Sequence, residues 1–397
     1  MDSQNIVMAK GFKASAAAAG LKKNKGLDIS LIYSECDATA AGVFTTNKVK
    51  AAPVLLTREN ISSGRARAII ANAGNANACT GQAGLENART TVRLVADGLG
   101  LRPEDILVAS TGVIGKPLDM DLVSAAIPKL IGSLSADGLT SAATAIMTTD
   151  SFLKFSQYDG HAGGSPFCIQ GIAKGAGMIM PDMATMLCFI ISDIAVEADD
   201  LKKALHNSVE RTFNRITVDG DTSTNDMVLV LANGTAGNGR LSQQDFGKFQ
   251  SGLTQVMGEL ARMIAKDGEG ASKLVDLQIK GAMSAEDAIN AARTVANSSL
   301  VKTAFYGQDP NWGRIMAALG RSGIVMDEAS VDIWVNDIQI VSNGLGLGVE
   351  VERRAAEMMT LDKFTVTVDL KQGRYEDKVV TCDLTHDYVS INADYRT

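Results

Sequence analysis

The order in which strand and helix signals follow one another constrains the fold of this 397-residue chain more than any single motif. Within residues 1–60, short runs at 29–33 and 42–46 read as strands separated by turns, and 66–71 adds another. Residues 82–99 place Leu85, Val92, Leu94, Val95 and Leu99 at helical spacing. A strand and turn follow at 108–115, and residues 120–147 read as helical throughout. Residues 165–173 and 186–195 read as strands, 199–213 as a helix with an acidic first turn, and 227–232 as a strand. A long helix is predicted over 244–266, with Leu253, Val256, Met257, Leu260, Met263 and Ile264 on its apolar side. A strand at 274–280 and a helix at 284–299 come next, then a Gly/Pro-punctuated loop over 302–314 before a short helix. From Val331 onward the chain reads mostly as strands. Strands and helices do not alternate strictly. The pattern predicts an α+β fold with mixed sheets, not a doubly wound parallel sheet.

With 46% hydrophobic and 21% charged residues, the chain is long enough for two domains or one large two-part unit. A net charge of −7 without any Lys/Arg run argues against a nucleic-acid partner. Cys36, Cys79, Cys168, Cys188 and Cys382 form no CxxC pair, and their odd number argues against a disulfide framework. The N-terminus lacks the apolar core of a signal peptide, and no apolar run approaches about 18 residues. The expectation is a soluble, reduced, cytoplasmic protein with no membrane contact.

Familiar cofactor signatures are missing. Gly344-Leu-Gly-Leu-Gly348 lacks the third glycine of a dinucleotide fingerprint at its required spacing, and there is no Walker loop, HExxH or GxSxG. His161, His206 and His386 lie far apart in sequence, giving no support to a metal site. The polar loop 217–226 begins like a calcium loop. Thr224 stands where the required glycine would be and Val230 where the bidentate glutamate would be, so calcium is rejected. Residues 72–81, Asn-Ala-Gly-Asn-Ala-Asn-Ala-Cys-Thr-Gly, suit close backbone approach to a ligand and suit equally a turn rich in side chain–backbone bonds.

Residues 174–187, Lys-Gly-Ala-Gly-Met-Ile-Met-Pro-Asp-Met-Ala-Thr-Met-Leu, open into the apolar run Cys188-Phe-Ile-Ile-Ser192. Read plainly, this is a Gly-rich turn feeding a buried strand that starts at Thr185. Read as chemistry, Ala184–Thr185 is a self-cleavage site. The Thr185 hydroxyl attacks the preceding carbonyl, the chain breaks by way of an ester, and a free α-amine is left on Thr185. That amine, with a pKa of about 7.7–8.0, is a built-in base for a hydroxyl that is otherwise a weak nucleophile. Neither histidine nor metal is needed.

This stretch closely resembles the signature of the ArgJ-type ornithine acetyltransferases. The resemblance runs from Gly11-Phe-Lys-Ala14 through residues 72–81, Ser110-Thr-Gly-Val-Ile-Gly115 and Met147-Thr-Thr-Asp150. It continues through 219–226, Gly268-Glu-Gly270, Gly307-Gln-Asp-Pro-Asn-Trp-Gly-Arg314 and 392–397, so it spans essentially the whole chain. Several motifs in one order exclude coincidence. One departure is Asp182, where the family often has Asn; it bears on the pH dependence of cleavage.

The resemblance implies a DmpA/ArgJ-like layered α+β sandwich of the N-terminal-nucleophile type. It implies cleavage between Ala184 and Thr185 into an α chain (1–184) and a β chain (185–397), assembled as an α2β2 heterotetramer. Thr185 would take acetyl from N2-acetylornithine, release ornithine and pass the group to glutamate in a ping-pong reaction of cyclic arginine biosynthesis. Thr111 and Gly112 match the oxyanion-hole pair, where each donor is worth roughly 2.7–4 kcal/mol. Thr148, Lys174, Thr185, Glu269, Asn392 and Thr397 match substrate-contacting positions. Lys174 suits a carboxylate and Glu269 an ammonium group. No cofactor or metal is implied. Alternatives are acetyl-CoA as a further donor, the same chemistry in a secondary-metabolite pathway, and an aminopeptidase of the same fold. The 219–226 loop belongs to the pattern without an assigned task.

Overall fold

The computed structural model describes residues 6–180 and 186–394. Among them, eight strands form one sheet: β1 (Phe12–Ala17), β2 (Ile29–Phe44), β3 (Arg65–Asn75), β4 (Ile106–Val113), β5 (Lys154–Ala162), β6 (Ser165–Lys174), β7 (Leu187–Ser192) and β8 (Met227–Ala232). Their order is β4-β3-β2-β8-β7-β6-β5, with β1 added beside β2. The β3/β4 and β7/β8 pairs are parallel. The remaining pairs, including β6/β7 and β2/β8, are antiparallel. The sheet is mixed, as the irregular element order predicts.

Every residue of β7 and β8 is buried, which explains why both read as unbroken apolar runs without alternation. Their side chains divide with period two between two cores. Helices α1 (Ala52–Asn60), α2 (Gly81–Leu99), α3 (Met120–Gly132) and α4 (Leu139–Ile146) lie among the early strands. Phe189, Ile191, Leu229 and Leu231 pack with Leu139, Ala142 and Ile146 of α4. Cys188, Ile190, Val228 and Val230 join the other core, with α5 (Ala198–Arg211) and α6 (Gln243–Lys266), through Leu205, Val256 and Leu260. The result is helix, sheet, helix.

A second sheet holds β9 (Leu274–Ala282), β10 (Asp332–Val335), β11 (Ile338–Ser342), β12 (Leu345–Gly346), β13 (Lys363–Asp369) and β14 (Tyr375–Cys382), in the order β12-β11-β10-β13-β9-β14. Here β13 and β9 are parallel and the other pairs antiparallel. Helices α7 (Ala285–Ala296), α8 (Ser299–Tyr306), α9 (Trp312–Gly320) and α10 (Val349–Met359) cover its core, and α11 (His386–Asp394) ends the described chain. Ser242 and Ser284 cap α6 and α7 by accepting from the N–H groups of Asp245 and Asp287.

Several boundaries differ from expectation. The stretch 120–147 is two helices, because Ser135 leaves helical geometry to exchange two backbone hydrogen bonds with Ala14 of β1. The helix expected over 284–299 stops at Ala296, and a separate helix starts at Ser299. The region after Val331 includes α10 and α11 besides its strands. Helix α1 and strand β5 were not anticipated. All five cysteines are unpaired. Among the described residues no helix is long and apolar enough to cross a membrane.

Candidate active site

The carboxyl ends of β4 and β6, the start of β7 and the loop before β8 meet at one end of the large sheet. There they enclose a cavity of about 260 Å³. Thr111 and Gly112 enter it from β4, Thr148 from the turn after α4, and Lys174 from the last position of β6. Glu269 comes from the turn after α6 and Asn392 from α11. The structure thus gathers six of the residues singled out above, drawn from distant parts of the chain. Ala184, Thr185 and Thr397 lie outside the described residues, as does Asp182. Met186 and Leu187 line the same cavity.

Gly112 has φ +128°, a conformation that L side chains rarely adopt. A Cβ there would sit 2.5 Å from the Gly74 carbonyl carbon and 2.6 Å from the Asn75 nitrogen, so glycine alone fits. The neighbouring backbone is pinned by amides. Asn225 donates to the carbonyls of Ala76 (2.6 Å) and Ser110 (2.8 Å), and the Ser110 hydroxyl donates to Asn72 Oδ1 (2.6 Å). Asn72 Nδ2 donates to the Asn75 carbonyl, and Asn75 Nδ2 to those of Lys116 and Pro117. Residues 72–75 continue β3 alongside Ser110–Val113 of β4, and the turn that follows, before α2, is held by side chain–backbone bonds. Of its residues, Ala76 alone reaches the cavity wall.

Lys174 is buried, and its ammonium donates to Thr111 Oγ1 at 3.4 Å. Burial lowers its pKa, against the opposing pull of Asp150. Burial also pushes the Asp150 carboxyl up, but the charges of Lys174 and Lys154 and the Gly175 N–H outweigh it and hold it at about 2. Asp150 accepts from Gly175 N (2.7 Å), Thr148 N (2.9 Å) and Lys154 Nζ (2.6 Å). Lys154, with no exposed side-chain surface, also donates to Asp267. Asp267 accepts in addition from the Ser151 N–H and hydroxyl. This chain of charges ties the 148–151 turn, the end of β6 and the end of α6 together beneath the cavity. In the sequence Asp150 stands out only as a motif member, and nothing there links Lys154 to Asp267.

The 217–226 loop now has a task. Asp219 accepts from the N–H groups of Met178 (2.6 Å) and Ile179 (2.8 Å), Val218 N donates to Ile179 O, and Thr222 donates to Met180 O. The loop holds residues 178–180, the approach to the 181–185 segment. Asp219 is raised by burial despite the N–H groups it accepts from, and Tyr388 donates to it at 3.3 Å. Burial first, then Asp219 and Glu269, push the Tyr388 hydroxyl upward. Glu269 is positioned by its backbone N–H on Ala176 O and accepts from Asn392 Nδ2 at 2.8 Å.

Asp226 closes the loop. It is 3% exposed, lines the cavity, and its Oδ2 has no hydrogen-bond partner among the described residues. Burial lifts its pKa well above the ordinary carboxylate value, more than Ser223 and Lys174 can offset. Among the described residues no three His, Cys, Asp or Glu side chains are grouped to hold a metal ion.

A mixed-sheet α+β fold with a threonine–glycine corner, a buried lysine and a carboxylate around one small cavity defines a class suited to acyl chemistry on a charged small molecule. The ArgJ family model matches residues 13–397. A protein of Geobacter sulfurreducens, "Arginine biosynthesis bifunctional protein ArgJ", is 50% identical over 98% of this chain and 99% of its own length. The "Glutamate N-acetyltransferase" of Methanocaldococcus jannaschii is 45% identical over 99% of this chain and 98% of its own. A solved ornithine acetyltransferase from Mycobacterium tuberculosis, complexed with ornithine, is 38% identical over 46% of this chain and 98% of that one, with a TM-score of 0.42. The chain belongs to the ArgJ family.

Proposed function

We propose that the protein is an acyltransferase of arginine biosynthesis that moves acetyl from N2-acetylornithine to glutamate through an acetyl ester on Thr185. The observation that carries this reading is convergence. Thr111–Gly112, Lys174 and the Glu269–Asn392 pair face one cavity whose wall runs through Met186 and Leu187, directly after Thr185 in sequence. In this reading Thr111 and Gly112 stabilise the tetrahedral oxyanion, Lys174 draws the substrate carboxylate, and Glu269 draws its ammonium group. Thr148, Asn392 and Thr397 complete the substrate contacts. The acetyl ester itself stores the group, so the reading needs no cofactor.

Self-cleavage between Ala184 and Thr185 creates the amine that activates the Thr185 hydroxyl. The resulting chains, 1–184 and 185–397, would stay together because the large sheet draws on both. Strand β6 pairs with β7, and β2 with β8, across the cut. The family resemblance extends this to an α2β2 assembly, and the composition to a cytoplasmic setting. Acetyl-CoA as a further donor is tested by substituting it for acetylornithine.

Intact mass of the purified protein under denaturing conditions tests the reading. Two fragments meeting at Ala184/Thr185, absent from a Thr185→Ala variant that also lacks transfer activity, are expected. An active preparation of one uncut chain would rule out the N-terminal threonine mechanism.

A further inference from the structure

Asp226 lines the cavity but has no part in the reaction as read above. Its neighbours hold it in place: Met227 N donates to Met186 O, and the parallel β7/β8 register pairs Leu187 with Met227. Asp226 therefore stands level with Met186, one residue beyond the proposed nucleophile. Thr45 N donates to its backbone carbonyl, closing the other side. A carboxyl oxygen left without a partner in a buried position costs stability unless something outside the described set uses it. This oxygen belongs to a residue that lines the substrate cavity beside Lys174 and the Thr111–Gly112 corner.

We propose that Asp226 is a catalytic acid that protonates the leaving amine of the acetyl donor and takes a proton back from the incoming amine. The inference rests on the acetyl-transfer reading and deepens it. In the first half-reaction the Thr185 oxygen bonds to the acetyl carbon and its proton passes to the Thr185 α-amine. The carbon–nitrogen bond breaks, and the departing nitrogen takes the Asp226 proton, leaving a carboxylate. In the second half the acceptor amine attacks the ester and gives its proton to that carboxylate. The Thr185 oxygen leaves with the proton held on the α-ammonium group. Both groups return to their starting state.

The environment suits this role. Burial raises the Asp226 carboxyl well above its ordinary value, the direction that a proton-donating role requires. The transient carboxylate has the Lys174 ammonium nearby to stabilise it. An amide is the substrate for which such an acid matters, because without a proton its nitrogen would have to leave as a strongly basic amide anion. An aryl ester releases its phenolate without help.

The test compares two acetyl donors, N2-acetylornithine and p-nitrophenyl acetate, on the wild type and on Asp226→Asn. Asn keeps the shape but cannot transfer the proton. Intact mass first establishes that the variant is cleaved. The expected result is a roughly 10²–10⁴-fold fall in the rate at which acetylornithine acetylates the enzyme, with the p-nitrophenolate burst, which reports the same acylation step, within about threefold of wild type. Equal losses on both donors, or no loss on either, would overturn the role of Asp226. A wild type inactive on acetylornithine would instead overturn the acetyl-transfer reading itself. Should Asp226→Asn stay uncut, infrared spectra decide. A carboxylic-acid carbonyl band present at pH 7 in the wild type and missing from the variant supports the acid; its absence from the wild type refutes it.

Discussion

Strands β9–β14 close over an aliphatic core, with Val275, Leu277 and Ile279 set against Ala291 and Val295 of α7. One end of the β1–β8 sheet instead buries Lys154, Lys174, Asp226 and the Asp150 carboxylate. None of the residues lining the cavity comes from β9–β14. Apolar burial stabilises the first arrangement without specifying any chemistry. The second holds charges that are costly to desolvate and tolerable only because each meets an opposite charge or a backbone donor. Asp226 meets Ser223 and the charge of Lys174, but its Oδ2 has no hydrogen-bond partner among the described residues.

Lys154→Met should give the largest effect. It leaves Asp150 and Asp267 buried without their shared cation, and denaturant unfolding should show a loss of roughly 3–5 kcal/mol. Gly112→Ala comes next. The added Cβ would strike the Gly74–Asn75 backbone, and steady-state transfer should fall roughly 10²–10³-fold.

Asp150 predicts an acid limb in stability. Its folded pKa of about 2 lies below the ordinary 3.8, so its contribution is complete above about pH 4 and is lost as pH falls towards 2. That separation between folded and ordinary values corresponds to about 2 kcal/mol. Unfolding free energies measured across that window should show the decline in the wild type and a flatter profile in Asp150→Asn. The smallest effect is expected in the aliphatic core. Ile279→Val should cost about 0.5–1.5 kcal/mol and leave transfer rates unchanged, and a clear drop in rate there would break the contrast between the two regions.

What the sequence revealed follows the same division. Strands β7 and β8 were legible because full burial on two faces writes a continuous apolar run. Helix α7 announced its start through Ser284, with Asp287 three residues on. Helix α10 was hidden because Val349-Glu-Val-Glu352 alternates like a half-buried strand, and only the packing of Ala355 and Met359 reveals the helical face. The candidate site residues lay in motifs, as did supports such as Asn72, Asp150, Asp219 and Asn225, but the pairing of Lys154 with Asp267 did not. Lys154 and Asp267 are 113 residues apart in the chain, and no local pattern links them. Asp226 stood in a recognised loop, but the unpartnered Oδ2 appears only once the loop is folded against β7.

The most direct measurement is the mass of each denatured fragment after incubation with N2-acetylornithine alone. The account predicts that the fragment beginning at Thr185 gains one acetyl group and loses it when glutamate is added. Turnover of acetylornithine and glutamate with no acetyl ever trapped on that fragment, or with acetyl trapped only elsewhere in the protein, would contradict it.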